Sequence, residues 1–177
     1  MNICVFCGSS TGRNSVYADA ARELGHRIAS QQHTLIYGGG NIGLMGILAD
    51  AVLEKRGRVI GVIPDFLMQK EVGHTGLTTL ELVPSMHVRK KRMADLADVF
   101  IALPGGWGTL DETAEILTWK QLGLIQHPVG ILNINGFFDS LLQQMNLMVR
   151  EGFLNPSNME FVKVSNTPEQ LLTDLLP

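Results

Sequence analysis

The chain has 177 residues, 45% hydrophobic and 18% charged, with a formal net charge of −3. That balance suits one globular domain with a sizeable core and excludes the disordered and fibrous classes. The negative charge argues against a general nucleic-acid binder, no run approaches the roughly 18 apolar residues of a membrane helix, and the two cysteines, Cys4 and Cys7, fit a reducing cytoplasm.

The start, MNICVFCGSS, lacks the basic lead and long apolar segment of a secretory signal and reads as a strand at 3–6. A helix follows at 15–29, where Val16, Ala20, Leu24 and Ile28 recur at helical spacing. Strand 33–37 and helix 44–55 come next, then strand 59–63 ended by Pro64, and strand 79–83. Helix 86–96, strand 99–103, helix 110–122, strand 129–132, helix 137–150, a short strand at 161–164 and a terminal helix at 168–175 complete the series. This rhythm predicts an α/β fold, a Rossmann-like doubly wound and mostly parallel sheet with helices on both faces, covering 1–177 as a single nucleotide-binding domain. Such sheets bind ligands beyond the carboxyl ends of their strands, so the loops that follow strands are the places to look.

Three of those loops are glycine-rich or built of small residues: CGSSTG at 7–12, GGGNIGLMG at 38–46 and PGGWGT at 104–109. Glycine lets backbone approach a phosphate, and the free N–H groups of a helix start favour an anion. Tight strand-to-helix turns use glycine anyway, but three at one sheet edge favour a nucleotide or phosphosugar. Ser9, Gly39 and Asn41 are expected to line that ligand. Gly38, Gly40 and Gly43 match G-x-G-x-x-G, but on the second strand–helix unit and without the acidic residue a dinucleotide site needs. No lysine follows the glycines of PGGWGT, so it is not a Walker loop. Gly8–Gly12 fits the spacing of a nucleophile elbow, but nothing singles out a histidine to serve it. Cys4 and Cys7 are spaced as C-x-x-C inside a strand, which suits packing better than redox chemistry. The five histidines show no metal-ligand spacing, and neither a metal nor a cofactor is expected.

Thr109-Leu110-Asp111-Glu112 also has the form of a capping box, so Glu112 can be read as a helix cap. Against that, Glu112, Glu115 and Thr118 are three apart and form a polar stripe leading away from the glycine loop. In the basic run 89–92, Arg89 and Arg92 share a helix face while Lys90 and Lys91 splay outward. A solvated surface is the plain reading, and a positive helix near the PGGWGT loop the functional one.

MHVRKKRM at 86–93, with PGGWGTLDE at 104–112, resembles the LOG family, the cytokinin riboside 5′-monophosphate phosphoribohydrolases once labelled possible lysine decarboxylases. The likeness runs nearly end to end, through FCGSS, GGGNIGLMG and TWKQLG. It implies a Rossmann-like homodimer that splits a purine nucleoside 5′-monophosphate into base and ribose 5-phosphate. It further implies that Arg89 and Glu112 are the catalytic pair and that Arg89 and Lys90 contact substrate. Gly105, Gly106, Trp107, Gly108, Thr109, Leu110 and Asp111 would form the phosphate loop, with Glu71 and Thr118 as further contacts. On the polar stripe, Glu115 is expected to support Glu112. Plant members usually have Tyr and Glu where this chain has Trp107 and Asp111, which leaves prenylated adenine and plain adenine both open as the base. The decarboxylase label meets a physical objection: that chemistry generally uses pyridoxal phosphate on a lysine of lowered pKa, and an unshielded basic run is a poor setting for one. The alternative to an enzyme is a nucleotide or molybdenum-cofactor carrier of the same fold, which would use the glycine loops without an Arg/Glu pair.

Overall fold

The computed structural model describes residues 1–68 and 72–177. Among them, seven strands form one parallel sheet: β1 (Asn2–Phe6), β2 (Thr34–Tyr37), β3 (Arg58–Pro64), β4 (Thr79–Val83), β5 (Val99–Ala102), β6 (Val129–Leu132) and β7 (Val162–Ser165), in the order β4-β3-β2-β1-β5-β6-β7. The central strands read as unbroken apolar runs because both faces are covered, as a parallel sheet requires. β1 pairs with β2 on one side and β5 on the other, with Cys4 opposite Ile36 and Phe100. The chain therefore winds outward from β1 in one direction, returns, and winds outward in the other. The crevice at that reversal lies beyond the ends of β1 and β5.

Among the described residues six α-helices cover the faces: α1 (Ser15–Ser30), α2 (Gly43–Glu54), α3 (Met86–Leu96), α4 (Trp107–Gln121), α5 (Asp139–Arg150) and α6 (Pro168–Leu175). α1 and α2 pack closely, because Gly25 faces Ala51 and the Leu48 carbonyl with no side chain between them. A Cβ there would stand 2.7 Å from both. Gly25→Val is expected to cost about 1–3 kcal/mol of stability by overpacking, read as a lower urea midpoint. The strand side chains alternate between two apolar layers. Ile3, Val5 and Ile101 join α1 and α2, whereas Cys4, Phe6 and Phe100 join Met93 of α3 and Ile116 of α4. Cys4 and Cys7 are buried free thiols on opposite layers, so the C-x-x-C spacing is indeed a packing feature. None of the described helices is long and apolar enough to cross a membrane.

Helix starts differ in a way that matters for the site. Asn14, Ser85 and Thr167 cap α1, α3 and α6, their side chains accepting from Val16, Val88 and Gln170 N–H. α4 begins at Trp107, not at 110, with Gly106 as its N-cap and no side-chain acceptor. The capping-box reading of Thr109 and Glu112 is thereby corrected. Thr109 lies inside the first turn, 3% exposed, and Glu112 lies well beyond the N3 position that a box needs. Tertiary packing has wound Trp-Gly-Thr into helix despite its poor propensity.

Candidate active site

The loops after β1 and β5 touch, the Gly8 N–H donating to the Pro104 carbonyl at 3.1 Å. They border a cavity of about 220 Å³ at the sheet reversal. Cys7, Ser9 and Gly38 line one side, and Gly106, Trp107, Gly108, Thr109, Asp111 and Glu112 the other. Arg89 closes the back, with Met45, Leu67, Met86 and Met93 around it. The first intrahelical partner at the start of α4 belongs to Leu110, whose N–H reaches the Gly106 carbonyl at 3.1 Å. The N–H groups of Trp107, Gly108 and Thr109 precede that bond and have no acceptor within the helix. The partial positive charge of the helix end therefore faces the cavity uncapped. The start of α2 differs: its Leu44 N–H is taken by the Gly8 carbonyl at 3.0 Å, so the protein itself uses that end.

Arg89 is the most deeply placed charge of the basic run, 5% exposed. Its Nε donates to the Val62 carbonyl at 3.1 Å and its Nη2 to the Gly38 carbonyl at 2.7 Å. It thus spans the ends of β2 and β3. Gly38 permits this, because a Cβ there would collide with the guanidinium. Glu112 stands near enough to the end of β1 for its charge to reach both cysteines. Burial, then the Glu112 carboxylate, pushes the Cys7 thiol well above its ordinary range. The Cys4 thiol is raised by burial, by Glu112 and by Cys7, with Arg89 acting in the opposite sense; Arg89 and Glu112 both line the cavity with Phe6 and Cys7 at the end of β1.

Lys90 turns inward, correcting the outward splay expected of it. Its side chain is 14% exposed, and its Nζ lies 3.1 Å from Asp111 Oδ2 and 3.1 Å from Glu115 Oε2. Burial disfavours its charge, but the hydrogen bonds it donates to Glu115 and Asp111 outweigh that and raise the ammonium above the ordinary lysine value. Such a lysine is a poor Schiff-base former, which strengthens the objection to decarboxylase chemistry. A raised pKa means a bridge whose stabilisation is complete below the unfolded value of 10.5 and lost as pH climbs through the folded one. Lys90→Met should therefore narrow the gap in thermal stability to the parent only above that pH, as followed by melting between pH 7 and 11.5. Arg92 does not join Arg89: it forms a two-pronged bond with Glu81 on β4, at 2.7 and 2.9 Å.

The remaining expected residues divide. Ser9 lines the cavity. Gly105 lies behind the loop, beside Ser10 and Phe137 in a neighbouring hollow. Gly39 and Asn41 are not among the residues lining the cavity and are bonded through backbone to His74 and Val72. Glu71 lies outside the described residues. Leu110 and Thr118 border an apolar groove of about 330 Å³ with Leu117, Met145, Met148 and Phe161. Residues three apart drift by about 60° around a helix at each step, so the stripe from Glu112 leaves the cavity before Thr118. The cavity's methionines and Cys7 carry no sequence signal of function. Only the positions of Met45 and Cys7 beside glycine loops could have suggested them.

Comparison with known proteins gives the same frame. A family model described as "Possible lysine decarboxylase" matches residues 45–175. The chain is 46% identical over 173 residues to cytokinin riboside 5′-monophosphate phosphoribohydrolase LOG3 of Arabidopsis thaliana, spanning 98% of this chain and 80% of that protein. It is 50% identical over 169 residues to probable cytokinin riboside 5′-monophosphate phosphoribohydrolase LOGL9 of Oryza sativa subsp. japonica, spanning 94% and 74%. The Moco carrier protein from Chlamydomonas reinhardtii shares the fold, with a TM-score of 0.71 at 22% identity, covering 98% of each chain. At nearly half identity over almost its whole length, with the glycine loop, Arg89 and Glu112 gathered at one cavity, this chain belongs to the LOG family.

Proposed function

We propose that this protein hydrolyses the N-glycosidic bond of a purine nucleoside 5′-monophosphate, AMP or its N6-prenylated form, releasing the free base and ribose 5-phosphate. The observation that carries this reading is the uncapped start of α4 opening on the same cavity as Arg89 and Glu112. The 5′-phosphate would rest on the Trp107, Gly108 and Thr109 amides, where the helix end favours an anion. That leaves the sugar one helical turn further on, within reach of Glu112. As the bond to the base lengthens, positive charge grows on C1′ and the ring oxygen, as in O-glycoside cleavage. The Glu112 carboxylate opposes that charge and accepts a proton from the attacking water. The bonding pair leaves with the base, which takes up a proton. Arg89 either steadies the departing base or anchors the ribose hydroxyls. Glu115 acts at one remove, by holding Lys90 and so α3 against α4.

The test is incubation with AMP and with isopentenyladenosine monophosphate, detecting free base and ribose 5-phosphate in equal amounts. Tight binding with no base released would favour a carrier. A homodimer belongs to the same reading. The groove on α4 and α5, with Phe153 86% exposed beyond it, would be covered by a second copy. Sedimentation should give twice the chain mass, and Met148→Glu should shift it to the monomer; a monomeric parent would refute the dimer. The buried free thiols Cys4 and Cys7 support a reducing, cytoplasmic setting.

A further inference from the structure

Beyond the end of β2, the Gly38–Asn41 turn is fastened to the segment 72–76. Asn41 N–H donates to the Val72 carbonyl and His74 N–H to the Gly39 carbonyl, each at 2.9 Å, and Gly40 and Gly73 form an isolated antiparallel bridge. The Tyr37 hydroxyl donates to the Gly40 carbonyl at 3.1 Å from beneath. The His74 side chain, 8% exposed, ties this segment to α2 as well. Its Nε2 lies 3.0 Å from Asp50 Oδ1 on α2, and its Nδ1 receives the Gly76 N–H at 3.0 Å. A backbone donor at Nδ1 puts the ring proton on Nε2, aimed at Asp50. Both ring nitrogens are thus occupied, and neither faces the cavity. The next carbonyl back along the turn, that of Gly38, receives Arg89 Nη2.

We propose that His74, held by Asp50, is a positioning residue for Arg89: it fixes the Gly38–Gly40 turn and thereby aims the Gly38 carbonyl that orients the guanidinium. This rests on the role given to Arg89 above, but its structural half can be read without turnover. A buried guanidinium bonded to two carbonyls exchanges its Nε proton slowly. In ¹⁵N-labelled protein, with the Arg89 Nε–H signal assigned by its loss in Arg89→Lys, His74→Ala should speed that exchange at least tenfold. The amides of β5 should stay protected. Asp50→Ala, made at the exposed end of the pair, should act in the same direction and serves if His74→Ala does not fold. Asp50→Asn keeps an oxygen for the Nε2 proton and should leave exchange slow. Unchanged Arg89 exchange in the alanine variants overturns the proposal, whatever the catalytic assay shows. In turnover, His74→Ala should lower kcat about tenfold with KM little changed, and should add nothing in an Arg89→Lys background. A full tenfold effect in that background overturns the proposal too, since a residue serving stability alone would act independently of Arg89. A parent that releases no base counts against the hydrolase reading and leaves the exchange result standing.

Discussion

Replacing Glu112 with Gln is expected to lower base release by about 10³-fold, close to 4 kcal/mol of transition-state stabilisation, while nucleotide affinity stays within about threefold. The change keeps the shape and removes the charge. If Glu112 served only to close the start of α4, Gln would do as well, because either residue completes a capping box. The two roles therefore predict opposite kinetics from one substitution. Geometry already separates them, since α4 starts at Trp107 and Glu112 falls in its second turn beside the cavity. The measurement is single-turnover release of adenine alongside equilibrium binding of AMP. A near-normal rate would remove the carboxylate from the chemistry.

Arg89→Ala should lower kcat/KM at least tenfold, about 1.4 kcal/mol. It should also reduce stability by about 1–3 kcal/mol, because the Val62 and Gly38 carbonyls lose their buried donor. Arg89→Lys keeps the charge but not the fork that spans both carbonyls, and should recover stability better than rate. Gly38→Ala offers a check that leaves the arginine in place. Its methyl group would occupy the space of the guanidinium, so the variant should resemble Arg89→Ala in turnover. Normal kinetics in both variants would return Arg89 to a purely structural role.

The fold was largely legible because its signals are local. A short apolar run such as VFIA, closed by Pro104 and too short for a helix, reads as a strand buried on both faces, and the spacing of Val16, Ala20, Leu24 and Ile28 reads as a helix. α4 starts three residues before the position its sequence pattern predicts. Trp-Gly looks like loop by propensity, and Thr-x-x-Glu looks like a cap, yet packing at the sheet reversal winds both into the helix. The site was legible in its parts and not in its assembly. Arg89 lies within a run of four basic residues that reads as a wet helix face. Its burial depends on carbonyls 27 and 51 residues away, which no periodicity reveals. The same holds for Lys90, bound to carboxylates on another helix, and for His74, whose partner Asp50 lies 24 residues earlier. A loop's composition shows that it can hold a phosphate. Only the fold shows which loop keeps its amides unspent: at α2 the Gly8 carbonyl takes one, whereas the Gly106 end of α4 stays uncapped.

The most direct measurement is a crystal structure of Glu112→Gln with AMP bound. The phosphoryl oxygens should lie within hydrogen-bonding distance, about 2.7–3.2 Å, of the Trp107, Gly108 and Thr109 amide nitrogens, with the anomeric carbon facing the residue at 112. A phosphate seated anywhere else, with that side chain turned back along α4, would contradict the account.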